Sequence, residues 1–362
     1  MNGMRPVTEE TALMSQNDRV RIAIIGAGGI CRTRHLPNLA EIPEAEMLTV
    51  CNRTRRSAEK VAGEFKIPGV DTDWKAVIQR KDVDAVLIGT WPYTHAEMSI
   101  AALEAGKHVF CQARMAMDLD EARQMVEAAE AHSGQVAMLC PPPHRMPWEP
   151  YIKRHVADGT LGELREVRIE SVSDANLGPL TWRERSELCG RQMLQVGIWA
   201  ETLNAFLGDF EWLNAQLDTP VTSKPDPDND DADYTIAIPQ VVHLHGRLES
   251  GLPVSEHHSG VWRHDPVNVM WIIGSEGTLR LDAMVAIHLG RRDGDLEPVE
   301  VPLSQQRPWR VERDFIEAVL DARRAGSWSA SPDFHEGLRY MKKVEAVHRA
   351  AEQQTPIRID SL

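Results

Sequence analysis

The stretch VRIAIIGAGGIC, residues 20–31, decides the fold. A run of apolar and β-branched residues enters a glycine turn, and the turn opens onto a helical pattern. A glycine motif carries meaning only in this setting, between a strand and a helix. Gly26 permits the tight turn, and Gly28 permits close approach of backbone to a pyrophosphate. Gly29 and Ile30 begin a helix whose free amides and positive dipole end face a diphosphate. The third position of the motif holds Cys31, which is small but not glycine. A turn that merely joins strand to helix has the same local sequence, and the residues around it favour a dinucleotide site.

Outward from the turn, short apolar runs alternate with amphipathic stretches: a strand at 47–51, a helix at 57–65, and a short helix capped by Asp73. The strand DAVLIG (84–89), a helix over 95–106, the strand HVFC (108–111), a helix behind Asp118 and a strand ending near Cys140 follow. This alternation predicts an α/β Rossmann domain, a doubly wound parallel sheet, over residues 19–145. CPPPHRMPWEP (140–150) carries five prolines and continues neither helix nor central strand, so it marks a domain junction. Beyond it, segments such as ELREVRIESVSD and VNVMWIIGSEGTLRLD alternate polar with apolar residues. They predict a C-terminal α+β domain, 146–362, with an open, largely antiparallel sheet. Residues 218–234 read as a solvated loop. Their DxDxD spacing lacks the Gly and Glu of a calcium loop, with Asp231 and Ala237 in those places. Two helices, near 312–326 and 334–352, and a strand PIRI close the chain.

The chain has 362 residues, 42% of them hydrophobic, enough to bury two cores. A net charge of −14 argues against nucleic acid or an anionic membrane as partner and leaves a small-molecule substrate. Five scattered cysteines without a CxxC pair read as buried hydrophobes in a reducing compartment. With an acid-bearing N-terminus and no long apolar run, the expectation is a cytoplasmic protein behind a disordered tail, 1–18.

After the second strand comes CNRTRR. Asn52 stands where a ribose-binding acid is usual, and it can bond a ribose hydroxyl without repelling a phosphate. Arg53, with Arg55 and Arg56, supplies positive charge for a 2′-phosphate, so the sequence favours NADP over NAD. Arg55 and Arg56 read equally well as an exposed basic helix start. Thr90 and Trp91, in the loop after the fourth strand, and Gln112, after the fifth, complete the candidate cofactor site.

VDAVLIGTWPYTHAEMSIAALEAGKHVFCQARMAMDLDEARQM (83–125) resembles the Gfo/Idh/MocA oxidoreductases, as do GSEGTLRLD (274–282) and the late segment from Pro332 to Ile359. The resemblance implies a Rossmann domain and an open-faced sheet domain with substrate between them, and a homo-oligomer formed through that sheet. It implies hydride exchange between a nicotinamide and a sugar, cyclitol or related hydroxy or oxo compound. It also exposes a departure. Where the family usually has Glu-Lys-Pro, this chain reads Gln112, Ala113 and Arg114; where it has an aspartate and, four residues on, a histidine, this chain has Gln195 and Trp199.

The proton relay therefore needs other groups. Tyr93, His95 and Glu201 are the candidates: the first two lie at the end of the fourth strand, where doubly wound sheets bind ligands, and Glu201 is the acid on the substrate-side helix. His95 serves equally as a helix-start residue bonded to backbone, and Glu201 as an ion-pair partner of Arg183 or Arg191. Arg114, Arg183, Arg191, Gln195 and Trp199 are candidate substrate residues. Arg114 is a fixed cation for a carboxylate or carbonyl or one arm of a salt bridge, and Trp199 an apolar platform or a core residue. His243 and His245 share a strand face, with His257, His258 and His264 following, but no third metal ligand is specified and no metal is expected. Three activities fit: an NAD(P)-dependent oxidoreductase, a cofactor-retaining lyase or hydrolase that oxidises transiently, and a non-catalytic sensor of nucleotide and ligand.

Overall fold

The computed structural model describes residues 19–362; the expected tail, 1–18, lies outside the described residues. Runs with both faces apolar form the first sheet: β1 (Val20–Ile25), β2 (Ala45–Cys51), β3 (Gly69–Asp71), β4 (Ala85–Ile88), β5 (His108–Cys111) and β6 (Ala137–Leu139). Their order is 3-2-1-4-5-6 and every pairing is parallel. The order reverses between β1 and β4, the place where such sheets open a crevice at their carboxyl ends. Helix Arg55–Phe65 starts on Thr54, and helix Leu119–Ala131 on Asp118, each accepting a backbone N–H of its first turn.

The first helix differs from the sequence expectation. A π-turn, Cys31–His35, interrupts it before Leu36–Ala40. Pro37 has no N–H for the carbonyl of Thr33, so a regular turn cannot close there.

The second sheet holds β7 (Leu164–Val172), β8 (Phe210–Asp218), β11 (Val241–Leu248), β12 (Pro253–Ser259), β13 (Val267–Gly274), β14 (Gly277–Asp282), β15 (Ala286–Arg291), β16 (Glu297–Pro298) and β17 (Ile357–Arg358). Only β7 and β12 pair in parallel. Between β8 and β11 lies a separate hairpin, β9 (Ser223–Asp226) and β10 (Ala232–Thr235), so the solvated-loop reading of 218–234 is corrected. Its buried Lys224 pairs with Glu184 at 2.6 Å, and Asp226 takes two bonds from Arg185. Composition suggested water as the partner of these charges; tertiary pairing claims them.

Helix Val311–Ala325, in the second domain by sequence, packs into the core of the first sheet through Val311, Phe315 and Val319. Its Glu312 is buried and bonds His35 Nδ1 at 2.6 Å, Asn38 at 3.0 Å and Trp309 at 2.9 Å. Among the described residues no helix is long and apolar enough to cross a membrane.

Candidate functional site

Two clefts meet at the carboxyl end of the parallel sheet. The first, about 380 Å³, is lined by Gly26, Gly28, Asn52, Arg53, Thr90, Trp91 and Tyr93 among others, and no Asp or Glu lines it. Gly26 has φ +80°, and a Cβ there would stand 2.7 Å from the Thr90 backbone nitrogen. Nothing lies within 4 Å of a Cβ at Gly29, and at Gly28, which lines the cleft, only a carbonyl at 4.0 Å. Cys31 occupies the third glycine position because a glycine stands across from it. A Cβ on Gly89 would lie 2.2 Å from its sulfur. Burial pushes the Cys31 thiol up to about 12, so it is inert packing.

Asn52 is used differently from expectation. Its Oδ1 accepts the Ala27 N–H at 2.8 Å, holding the glycine turn, which leaves the amide nitrogen as the end available to a ribose. Arg53 is exposed on the rim. Arg55, by contrast, pairs with Glu59 at 3.0 Å. Gln112 is not at this cleft: its Oε1 accepts from His35 Nε2 at 2.9 Å, tying β5 to the π-turn. Ile30 is a half-buried first-turn residue.

The second cleft, about 410 Å³, lies between the domains and is lined by Arg114, His144, Ser171, Asn176, Arg183 and Gln195 together with further Ser, Thr and aliphatic residues. A shallower groove shares Ser171, Ser173 and Gln195 with it and runs on toward Trp271. The two clefts are linked twice. Trp91, on the first, stacks on Trp182 at 5.8 Å, and Arg183 covers the same Trp182 ring at 4.5 Å. His95 lies between the Thr90 carbonyl (3.1 Å) and the Arg114 carbonyl (2.8 Å).

That position removes His95 from the candidate relay. The ring is wholly buried, burial lowers its pKa, and both nitrogens face backbone carbonyls. It positions the Arg114 loop. Glu201 is also absent from the cleft. It is buried against Arg145 at 3.3 Å, where burial raises its carboxyl to about 8. Arg145 sits closer to Glu149, at 3.0 Å, and against the cost of burial Arg145 and Lys153 hold Glu149 down at about 2. Arg145 opposes the rise at Glu201 without cancelling it, and the nearby Glu336 and Glu149 charges add to it. Tyr93 is exposed on the nucleotide rim and does not line the substrate cleft.

Two substrate candidates are likewise corrected. Arg191 points away, to Glu352 at 2.7 Å and Glu345 at 3.2 Å. Trp199 has no exposed face for a ring; it is core, and its indole N–H donates to Asn268 Oδ1 at 2.9 Å. Arg114, Arg183 and Gln195 do line the cleft. Lys343 pairs with Glu256, which also meets buried His258, and His243 stacks on His257 across the sheet face; among the described residues no group of three such side chains is gathered for a metal.

Sequence reasoning missed His144. It is nearly buried, lines the substrate cleft, and stands edge-on to Trp199 at 5.0 Å. Its Nε2 is 2.9 Å from Gln195 Oε1 and 3.0 Å from Asn268 Nδ2, and its Nδ1 has no partner among the described residues. Trp199 holds the Asn268 carbonyl, so the Asn268 amine faces the imidazole. One nitrogen cannot donate to Gln195 and accept from Asn268 at once: with the proton on Nε2, Nδ1 is a free base, and with it on Nδ1, Nε2 accepts from Asn268. Burial lowers this imidazole's pKa against the opposing Gln195 bond, favouring the neutral ring. The signal was available in the triple proline after β6, which places a histidine at the ligand-binding end of the sheet.

Residues 20–139 match an oxidoreductase family with an NAD-binding Rossmann fold, and residues 151–280 match the GFO/IDH/MocA C-terminal domain. The levoglucosan dehydrogenase of Pseudarthrobacter phenanthrenivorans is 28% identical over 173 residues, covering 46% of this chain and 44% of that protein. The dTDP-3,4-didehydro-2,6-dideoxy-alpha-D-glucose 3-reductase of Actinomadura kijaniata is 25% identical over 348 residues, covering 92% of this chain and 96% of that one. The solved levoglucosan dehydrogenase complex with NADH and L-sorbose shares the fold: TM-score 0.84 at 20% identity, over 94% of this chain and 99% of that chain.

Proposed function

Because the chain belongs to the Gfo/Idh/MocA oxidoreductases, we propose that it is an NAD(P)-linked oxidoreductase acting on a hydroxyl or carbonyl of a sugar, cyclitol or related small molecule. The observation that carries this reading is the acid-free glycine cleft joined to a second polar cleft through Trp91 and Trp182. Gly26 and Gly28 line this cleft at the turn from β1 into the helix, where a pyrophosphate would lie, and the cofactor when bound supplies or accepts the hydride. Arg53 on a rim without carboxylates supports a preference for NADP.

In place of the family's lysine, aspartate and histidine, this chain offers His144 as the proton carrier. As a neutral base it takes the proton of a substrate hydroxyl; in the reverse direction it returns one to a carbonyl. Gln195 and Asn268 hold the ring in either tautomer, and Trp199 orients Asn268. The lyase and sensor alternatives gain no observation of their own.

The test is His144→Gln, assayed with NADPH and NADH against a panel of sugars, cyclitols and their oxidised forms. General acid–base catalysis contributes ~10² to 10⁴ in rate, so kcat falls by about that much while nucleotide affinity holds. Unchanged turnover removes His144 from the mechanism, and failure of both nucleotides to bind the wild-type protein removes the oxidoreductase reading.

A further inference from the structure

Among the described residues, buried Arg145, Lys224 and Lys343 each have a carboxylate, and buried Lys107 is satisfied by the Arg80 and Val83 carbonyls. Arg145 has Glu149 and Glu201, Lys224 has Glu184, Lys343 has Glu256, and Arg185 has Asp226. The substrate cleft breaks the pattern. Arg114 gives one side of its guanidinium to the Leu194 carbonyl, and its buried Nη1 has no partner among the described residues. Arg183 is exposed and lies over the face of Trp182. Neither forms an ion pair among the described residues, and no Asp or Glu lines the cleft they share. Burial lowers the pKa of both guanidiniums, and the nearby Arg183 charge adds to the lowering at Arg114.

The arm that carries Arg183 is held firmly. Thr181 and Glu184 form a reciprocal cap, and Glu184 and Arg185 are locked to the β9–β10 hairpin by Lys224 and Asp226. The Arg114 loop is held by the His95 ring at the Arg114 carbonyl and by Tyr340, whose hydroxyl accepts the Met115 N–H. The half-buried Arg114 guanidinium without counter-charge, with exposed Arg183 on the same cleft stacked over Trp182, makes a seat for an anion in a protein of net charge −14. Ser171, Asn176, with an unpartnered buried Oδ1, and Gln195 surround that seat with groups that bond hydroxyls.

We propose that the substrate is a hydroxy or oxo acid of sugar size, its carboxylate held by Arg114 and Arg183 and its hydroxyls by the polar wall that includes Asn176 and Gln195. This deepens the oxidoreductase reading and rests on it for the reaction, although not for the binding. A flat, two-oxygen carboxylate matches the free edge of Arg114. Gln195 and Ile198 also bring the N-terminus of helix Val196–Leu207 to this cleft, adding a positive dipole end to the guanidiniums.

The experiment uses the full chain with NADPH bound. Calorimetry compares D-glucuronate, D-gluconate and D-galactonate with D-glucose, D-glucitol and D-galactitol, with D-glucose 6-phosphate as the other anion. An acid binds at least about tenfold more tightly than its neutral counterpart, since hydrogen bonds to charged groups are worth about that much or more. Arg183→Gln, on an exposed residue, and Arg114→Lys, which keeps charge and loses the fork, each weaken the acid about tenfold and leave the neutral compounds unmoved. Neutral compounds binding as well as acids, tighter binding of the phosphate ester, or no acid binding by ~10 mM each overturns the proposal. Absorbance of the reduced nicotinamide, followed with NADP+ for the hydroxy acids and alditols and with NADPH for D-glucuronate and D-glucose, separates the two readings. Acids that bind without redox change leave the anion seat standing and sink the oxidoreductase; turnover of neutral compounds alone does the reverse.

Discussion

The nucleotide cleft and the substrate cleft lie side by side and are made in different ways. The first is built mainly from short contiguous segments: the turn after β1, the end of β2 and the loop after β4. The second draws on the 114 loop, the 144 turn, the end of β7 and the loop after it, the 181–195 arm, Ile198, the 238–239 turn and the end of β12. In the first, glycines let backbone segments close on one another, Gly26 against Thr90 and Gly89 against Cys31. In the second it leaves polar groups without partners: Arg114 Nη1, Asn176 Oδ1 and His144 Nδ1.

Mutations at the two clefts separate them. The largest effect falls at His144: His144→Gln lowers kcat by ~10² or more without moving nucleotide affinity, as steady-state rates and fluorescence titration will show. Gly26→Ala does the converse. Its Cβ meets Thr90 backbone at 2.7 Å in a left-handed conformation, and nucleotide affinity drops by about tenfold or more, given strain of about 1–2 kcal/mol at such a residue. Equal loss of acid binding in that variant would mean that the clefts are not separable.

Smaller effects sharpen the comparison. With His144 lowered by burial, the acidic limb of the pH profile for alcohol oxidation falls below the ordinary imidazole value of about 6.5, and His144→Gln removes the limb. Arg53→Ala reduces the ratio of NADP to NAD affinity by about tenfold, read by titration with both nucleotides. Least is expected behind the site. Glu201 keeps its proton in the folded state up to about pH 8, whereas the unfolded chain releases it near the ordinary value of about 4.3. The native state binds the extra proton across that window, so this contribution to stability is full at the acid end and is lost as pH rises toward 8. Glu201→Gln flattens that part of the Tm–pH curve by a few degrees, and an unaltered curve would show that Glu201 is ionised by Arg145.

Several failures of sequence reading have one cause. Glu201, Arg191 and Trp199 sit on or beside the expected substrate-side helix, yet Arg145, Glu345 and Asn268 claim them from elements far away in sequence. Helical spacing tells which residues share a face, not which partner that face meets. Lys224 and Asp226 were hidden in the same manner within an acidic, proline-rich segment whose composition resembles solvated loop.

The sequence by itself determined the strand–turn–helix unit at 20–31, the alternation that makes a parallel sheet, the proline junction and the open second sheet, because period, glycine and proline act over a few neighbouring residues. Tertiary structure alone decided that His95 braces a loop, that Cys31 rests on Gly89, that His144 enters the cleft, and that Arg114 and Arg183 stand there without a carboxylate. A charge's partner and a side chain's burial depend on packing between elements tens to hundreds of residues apart, and no local pattern records that.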